Sequence, residues 1–242
     1  MDETAQSARA ELAAIQQVVA LAGRRVLDVG CGDGRLTLGL QAAGATVVGL
    51  DIDASELWQA RRRDAQIVWV EGRAERLPVA KASVDVVLWS WSLWNVVRGG
   101  QGAALREGQR VVRPDGLLVE VRPLPGDPQV EIVRPDGRRV GCGALRPSDA
   151  TVLARQTHAE QVILQALARG AVRLAGQVEF DWVNGYGDAD ELVETVLETW
   201  TARTIDEATA LRLAQAMADA PSGSRAVIRQ AVMVRGFTIG AG

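Results

Sequence analysis

The chain carries a glycine-rich run, Val26-Leu27-Asp28-Val29-Gly30-Cys31-Gly32-Asp33-Gly34, opened by an apolar stretch with an aspartate inside it. Glycines lack a Cβ, so such a backbone can turn tightly and approach a ligand closely. A helix starting after the run would point its unpaired N–H groups at whatever the turn holds. This chemistry suits a nucleotide-like ligand. A dinucleotide turn wants G-x-G-x-x-G. Counted from Gly30 the third position is Arg35, and counted from Gly32 it is Thr37, so neither frame fits. A second apolar run, Thr46-Val47-Val48-Gly49-Leu50, ends on Asp51, and an ionised carboxylate accepts two hydroxyl hydrogen bonds well.

Three of the seven tryptophans fall in Leu88-Trp89-Ser90-Trp91-Ser92-Leu93-Trp94-Asn95. Indole faces attract cations and wall apolar ligands, although one or more of these rings is expected in the core. His158 is the only histidine and Tyr186 the only tyrosine. Each is a candidate proton acceptor for a reacting hydroxyl or amine, weighed against an ordinary packed or surface role. Cys31 and Cys142 are too few for a disulfide scaffold, and no His/Cys/Asp group has metal-ligand spacing, so no metal is expected.

These residues need a frame. Ala8, Leu12, Ile15, Val19 and Ala22 recur at helical spacing, with Gly23 as a stop. Strands are predicted over Arg25–Gly30, Thr46–Asp51, Gln66–Glu71, Val84–Ser90 and Gly116–Val121, the last after the turn Arg113-Pro114-Asp115-Gly116. Helices are predicted between them over Leu36–Ala43, Ala54–Arg63 and Ala103–Val112. That alternation specifies a doubly wound α/β domain with a mostly parallel sheet, and such sheets bind ligands at the carboxyl ends of their strands. Beyond Val121 four prolines interrupt the pattern, a hairpin is predicted around Pro135-Asp136-Gly137, and Ser148 can cap a helix to about Ala168. A strand over Val178–Val183, helices over Asp190–Ala202 and Ile205–Asp219, and a strand over Ala226–Thr238 complete the reading. The whole chain, 1–242, reads as one domain with 123–175 as an insertion or lid after the fifth strand.

Leu27-Asp28-Val29-Gly30-Cys31-Gly32-Asp33-Gly34 resembles the first motif of class I S-adenosylmethionine-dependent methyltransferases, and is most similar to the small-molecule branch that includes quinone-biosynthesis enzymes. Gly49-Leu50-Asp51-Ile52-Asp53 resembles their second motif, whose acid holds the ribose hydroxyls. Asp51 takes that role by position, and Asp53 reads as a helix cap. Gly72-Arg73-Ala74-Glu75-Arg76-Leu77-Pro78 resembles the third, in which an aspartate usually receives the adenine amino group. Arg73 stands in its place here, leaving Glu75 or the backbone around Ala74 for that contact. The resemblance implies a Rossmann-like seven-stranded sheet with an antiparallel last strand, S-adenosylmethionine as cofactor, and a cofactor site formed by Asp28, Gly30, Cys31, Gly32, Asp51, Ile52, Arg73, Ala74, Glu75, Trp89 and Ser90. Relatives often carry two histidines where Trp94-Asn95 stand.

Composition narrows the partner. A net charge of −3 gives no global field for a polyanion, and Arg24-Arg25, Arg61-Arg62-Arg63 and Arg138-Arg139 are the kind of local runs that usually sit on solvated faces. Ser90-Trp91-Ser92-Leu93 lacks the Asn/Asp-Pro-Pro-aromatic pattern of amino-methylating DNA enzymes, so a small-molecule acceptor is expected rather than nucleic acid. No stretch approaches a membrane span, and the acidic start lacks the order of a signal peptide, giving a cytoplasmic expectation. The alternatives are an RNA methyltransferase, a non-catalytic ligand-binding or partner protein on the same fold, and a nicotinamide oxidoreductase.

Overall fold

The computed structural model describes residues 3–97, 99–148, 150–200 and 202–240; the acidic opening Met1-Asp2 lies outside them. Helix α1 (Glu3–Val18) leads into β1 (Arg25–Val29), α2 (Arg35–Ala42), β2 (Thr46–Asp51), α3 (Ala54–Arg63) and β3 (Val68–Glu71). Next come β4 (Val84–Ser90), a single 3-10 turn (Leu93–Asn95), α4 (Gln101–Val111) and β5 (Val112–Pro123). The second half holds β6 (Gln129–Val133), β7 (Arg139–Ala144), β8 (Arg146–Pro147), α5 (Ala150–Ala168) and β9 (Val172–Tyr186). It closes with α6 (Ala189–Thr199), β10 (Arg203–Thr204), α7 (Glu207–Ala218) and β11 (Arg225–Ile239).

The chain divides into two compact units. The larger takes residues 11–122, 155–179 and 233–242. Its sheet runs β3-β2-β1-β4-β5, all parallel, then β11 and β9. Gly240 N donates to Ala171 O at 3.0 Å and Thr238 Oγ1 to Arg173 O at 3.5 Å, so β9 and β11 run in opposite directions. The doubly wound sheet expected from the alternation is there, five of its strands parallel, and with β11 and β9 it has the seven strands that the resemblance implied. Register decides which residues meet at one edge. Val29 pairs with Leu50 and Asp28 with Leu88, so β1, β2 and β4 end together. Buried Leu27, Val29, Val87, Trp89, Leu118, Ile163 and Phe237 form the core on one face.

The smaller unit takes residues up to 10, 123–154 and 180–232. The predicted hairpin forms: β6 and β7 pair antiparallel with Val133 opposite Arg139, and Gly137 turns at φ 83°. Val130, Ile132, Leu145, Leu192, Val196 and Leu213 fill its core beneath α6 and α7. Glu131 is buried between Arg229 (2.6 Å) and Arg139 (2.9 Å). Burial pushes its carboxyl up, but the two guanidiniums outweigh that and hold it below the ordinary value. The stretch 123–175, read as one insertion, is divided between the units: 123–154 falls in the smaller and 155–175 in the larger.

Three boundaries differ from the sequence reading. Helix α1 stops at Val18 rather than Ala22, because Val19 and Leu21 turn inward to the core. The turn 113–116 does not precede β5 but bulges from it. Val84 pairs with Val112 and Val86 with Leu117, leaving Arg113-Pro114-Asp115-Gly116 looped out of the ladder. Strand β9 is much longer than Val178–Val183, running from Val172 to Tyr186.

Trp89 lies wholly buried under α4, and a Cβ on Gly108 would come within 2.2 Å of its ring. Gly108→Ala is helix-compatible by propensity but must displace that ring. Overpacking of this kind costs about 1–3 kcal/mol, so chemical denaturation should show a clear loss of stability. An unchanged midpoint would contradict this seating of α4.

Candidate cofactor site

The site grows from the end of β1. Gly30 and Cys31 both donate their N–H to Leu50 O, at 2.7 and 3.0 Å, which turns the chain sharply across the end of β2. Gly30, Gly32 and Gly34 all have positive φ (78°, 54° and 81°). Two of them also need to be small: a Cβ on Gly30 would meet Ser92 Cβ at 2.4 Å, and one on Gly34 would meet the Trp69 ring at 2.5 Å. Gly32 is different. The nearest atom to a Cβ there would be Glu56 Oε2 at 3.8 Å, so its outer side opens onto free space.

Asp51 faces that space. Its Oδ2 accepts the Gly32 N–H at 2.8 Å and its Oδ1 accepts the Asp53 N–H at 2.9 Å. Both oxygens are thereby aimed by backbone donors while each keeps a further lone pair. Asp53 caps α3 as expected, accepting from Ser55 N at 2.8 Å, and the Ser55 hydroxyl, with that amide, lowers its carboxyl pKa. Ile52, between them, is 58% exposed.

Asp28 sits behind the turn, 1% exposed, with Oδ2 accepting from Thr37 Oγ1 at 2.7 Å. Its Oδ1 is buried with no hydrogen-bond partner. Burial pushes this carboxyl up to about 6; the Thr37 hydroxyl opposes the rise and the charge of Asp51 adds to it. Burial, with Asp28 and Asp51 nearby, also pushes the Cys31 thiol well up, so Cys31 is no thiolate nucleophile.

The remaining motif residues take distinct places. Arg73 and Arg76 close a small turn with Ala74 and Glu75 at its tip, Arg76 N donating to Arg73 O at 3.1 Å. Arg73 Nη2 bonds Glu75 Oε1 at 3.1 Å, and a Cβ on Gly100 would lie 3.0 Å from that oxygen. Glu75 is thus engaged by Arg73 and pressed against the start of α4. Ser90 is half-buried at the end of β4, whereas Trp89 beside it belongs to the core. Trp91 has φ 56°, a left-handed conformation costly for a bulky residue. Its N–H bonds Val121 O at 3.0 Å, and Ser92 Oγ donates to Val29 O, which together hold the strand end against the glycine turn. His158 is half-buried on α5, and Tyr186 is packed in the core of the smaller unit with Asn184 Nδ2 bonded to its hydroxyl at 2.8 Å. Among the described residues no His/Cys/Asp/Glu group has metal-holding geometry.

Sequence reasoning missed Glu11. Its carboxylate on α1 is buried and accepts hydrogen bonds from Ser90 Oγ and the Trp91 side chain. Burial pushes it up to about 7, Ser90 opposing and Asp28 reinforcing the shift. A signal existed: Glu11 lies one turn before Ile15 and so stands inside the apolar stripe of α1, where an acid has no packing role.

A carboxyl whose folded pKa is raised contributes stability that is full below the unfolded pKa and is lost as pH rises through the folded one. Glu11→Gln removes that titration. The variant's stability advantage should therefore grow from pH 5 to pH 8 by on the order of 2 kcal/mol in denaturant titrations. An advantage that does not change with pH would contradict the burial of a titrating Glu11.

Residues 27–119 match the family described as "Methyltransferase domain". An uncharacterized methyltransferase of Synechocystis is 35% identical over 99 residues, covering 41% of this chain and 47% of its own. A demethylmenaquinone methyltransferase of Beutenbergia cavernae is 39% identical over 97 residues, covering 40% of each chain. The chain thus spans less than half the length of these curated relatives. A crystal structure titled as a putative methyltransferase, from Bacillus halodurans, superposes with a TM-score of 0.59 over 96% of this chain and 99% of its own at 16% identity, which speaks for the fold. The open side of Gly32, the aimed carboxylate of Asp51 and the unpartnered oxygen of Asp28 fit the cofactor that this family and fold imply, S-adenosylmethionine. Over residues 27–119 the chain is similar to methyltransferase domains.

Proposed function

We propose that the protein transfers a methyl group from S-adenosylmethionine to a small-molecule nucleophile by in-line displacement. The observation that carries the reading is the Gly32–Asp51 contact, which leaves a carboxylate aimed across an open glycine turn, where it can take the ribose hydroxyls. The cofactor, when bound, supplies a methyl group activated by its sulfonium. Asp51 holds the ribose hydroxyls, Gly30, Cys31 and Gly32 present backbone, and Asp28 sets charge beneath them. Ile52 covers one face of the adenine, and Ala74, with Glu75 tied to Arg73, lies at its edge. Ser90 and the Trp91 ring border the acceptor side.

Holding two reactants in line can supply effective molarities of order ~10⁵ M or more, so no covalent step is required of the protein. The small-molecule reading rests on the lack of a DNA-type motif after β4, the net charge of −3, and a relative named demethylmenaquinone methyltransferase. A quinone-like or other apolar acceptor suits a site bordered by an indole. Among the described residues no helix is long and apolar enough to cross a membrane, and a cytoplasmic setting is part of this proposal.

Calorimetric titration tests the reading. S-adenosylmethionine and S-adenosylhomocysteine should bind saturably and NADH should not. Asp51→Ala should weaken both adenosyl ligands by roughly 10- to 100-fold, the worth of charge-assisted hydrogen bonds at about 1.5–3 kcal/mol. Equal affinity in the variant, or binding of NADH alone, would overturn the assignment.

A further inference from the structure

Two acids lie at the base of the glycine turn. Asp28 comes from β1 and Glu11 from α1, the first 1% and the second 7% exposed. They are close enough that the charge of Asp28 disfavours ionisation of Glu11. Thr37 satisfies one oxygen of Asp28, and Ser90 with Trp91 satisfies Glu11. The second oxygen of Asp28 has nothing. An unpaired buried carboxylate oxygen is costly and rare, and a bound cation is one way to satisfy it.

The surroundings specify that partner. From the start of α2, Arg35 is the cation acting on Glu11 among the described residues, and its guanidinium is already bonded to Asp33 at 3.1 Å. From β2, Asp51 adds a further negative charge facing Asp28. Cys31 contributes a protonated thiol, and the end of β4 contributes only the neutral Ser90 and Trp91. Three carboxyl groups against one engaged arginine make a region short of positive charge. The cofactor carries an ammonium and a sulfonium against one carboxylate, a net charge of +1.

We propose that Glu11 and Asp28 form a proton-exchanging floor to the cofactor site: a proton held on the pair in the free protein leaves when the cationic cofactor docks. The inference rests on the cofactor reading of the glycine turn. Nothing is oxidised or reduced; the proton passes to buffer and the cofactor's charge takes its place.

The titration follows from burial. With Glu11 near 7 and Asp28 near 6, the free pair retains about one proton at pH 6.5, and a neighbouring cation lowers both values. Cofactor affinity therefore rises as pH rises through 6 to 7 and levels off above 8, where both groups are already ionised.

The experiment is calorimetry of the full chain with S-adenosylmethionine at pH 6.5, in two buffers of different ionisation enthalpy. Release of roughly half a proton or more is expected, vanishing by about pH 8.5. Uncharged 5′-methylthioadenosine, which keeps the adenosine but lacks both cations, should bind without release. Between pH 6 and pH 8 the wild type should tighten about tenfold for S-adenosylmethionine, and Glu11→Gln should flatten that dependence. Saturable binding with equal heats in both buffers would overturn the proton exchange and leave the cofactor site standing. The same release with 5′-methylthioadenosine would also overturn it, since adenosine burial rather than charge would then drive the proton off. Absence of binding by S-adenosylmethionine would overturn the site and the exchange together.

Discussion

The larger unit's site hangs on one contact, the Asp51 carboxylate accepting the Gly32 amide at 2.8 Å. A glycine run with three positive φ angles has many alternatives in isolation, and glycine loses more freedom on ordering than any other residue. The carboxylate selects one arrangement. It can do so because β1 and β2 are parallel neighbours in a register that brings Val29 level with Leu50, so the turn leaving β1 passes directly over the acid ending β2. Gly30 and Cys31 amides on Leu50 O complete the clamp. Every sugar-binding property assigned to Asp51 presupposes this orientation.

Packing behind the clamp is done largely by tryptophan. Trp69 of β3, its indole N–H bonded to Asp64 O at 2.8 Å, lies against Gly34 and Gly49, where any side chain would collide with its ring. Trp89 occupies the corresponding place under α4 at Gly108. These rings set how closely α2 and α4 approach the sheet, and hence where their N-termini lie relative to the turn. Trp91 alone of this set departs from core duty: its left-handed backbone, held by Val121 and by Ser92 on Val29, turns the chain at the end of β4 toward Glu11.

Much of this was legible in the sequence. The periods of the strands and helices, the acid ending the second strand and the glycine spacing identified the sheet and the turn, because those patterns follow from local geometry. Asp53 as a cap needed only its neighbours Ser55 and Glu56. What escaped was long-range. Trp89 could be assigned to core or site only once Gly108, nineteen positions on, was seen beneath it. Arg73, standing where relatives have an aspartate, turned out to be tied to Glu75, and that pairing depends on the turn between them. Glu11 escaped because its partners, Ser90 and Trp91, lie 79 and 80 positions away, and no local pattern reports such a meeting.

The most direct test is a crystal structure of the protein with S-adenosylhomocysteine. The account predicts the ribose hydroxyls on Asp51, with the Gly32 amide still bonded to the same carboxylate and the amino-acid tail passing over the turn at Gly30. A ligand bound elsewhere, or an Asp51 carboxylate turned away from the sugar, would contradict it.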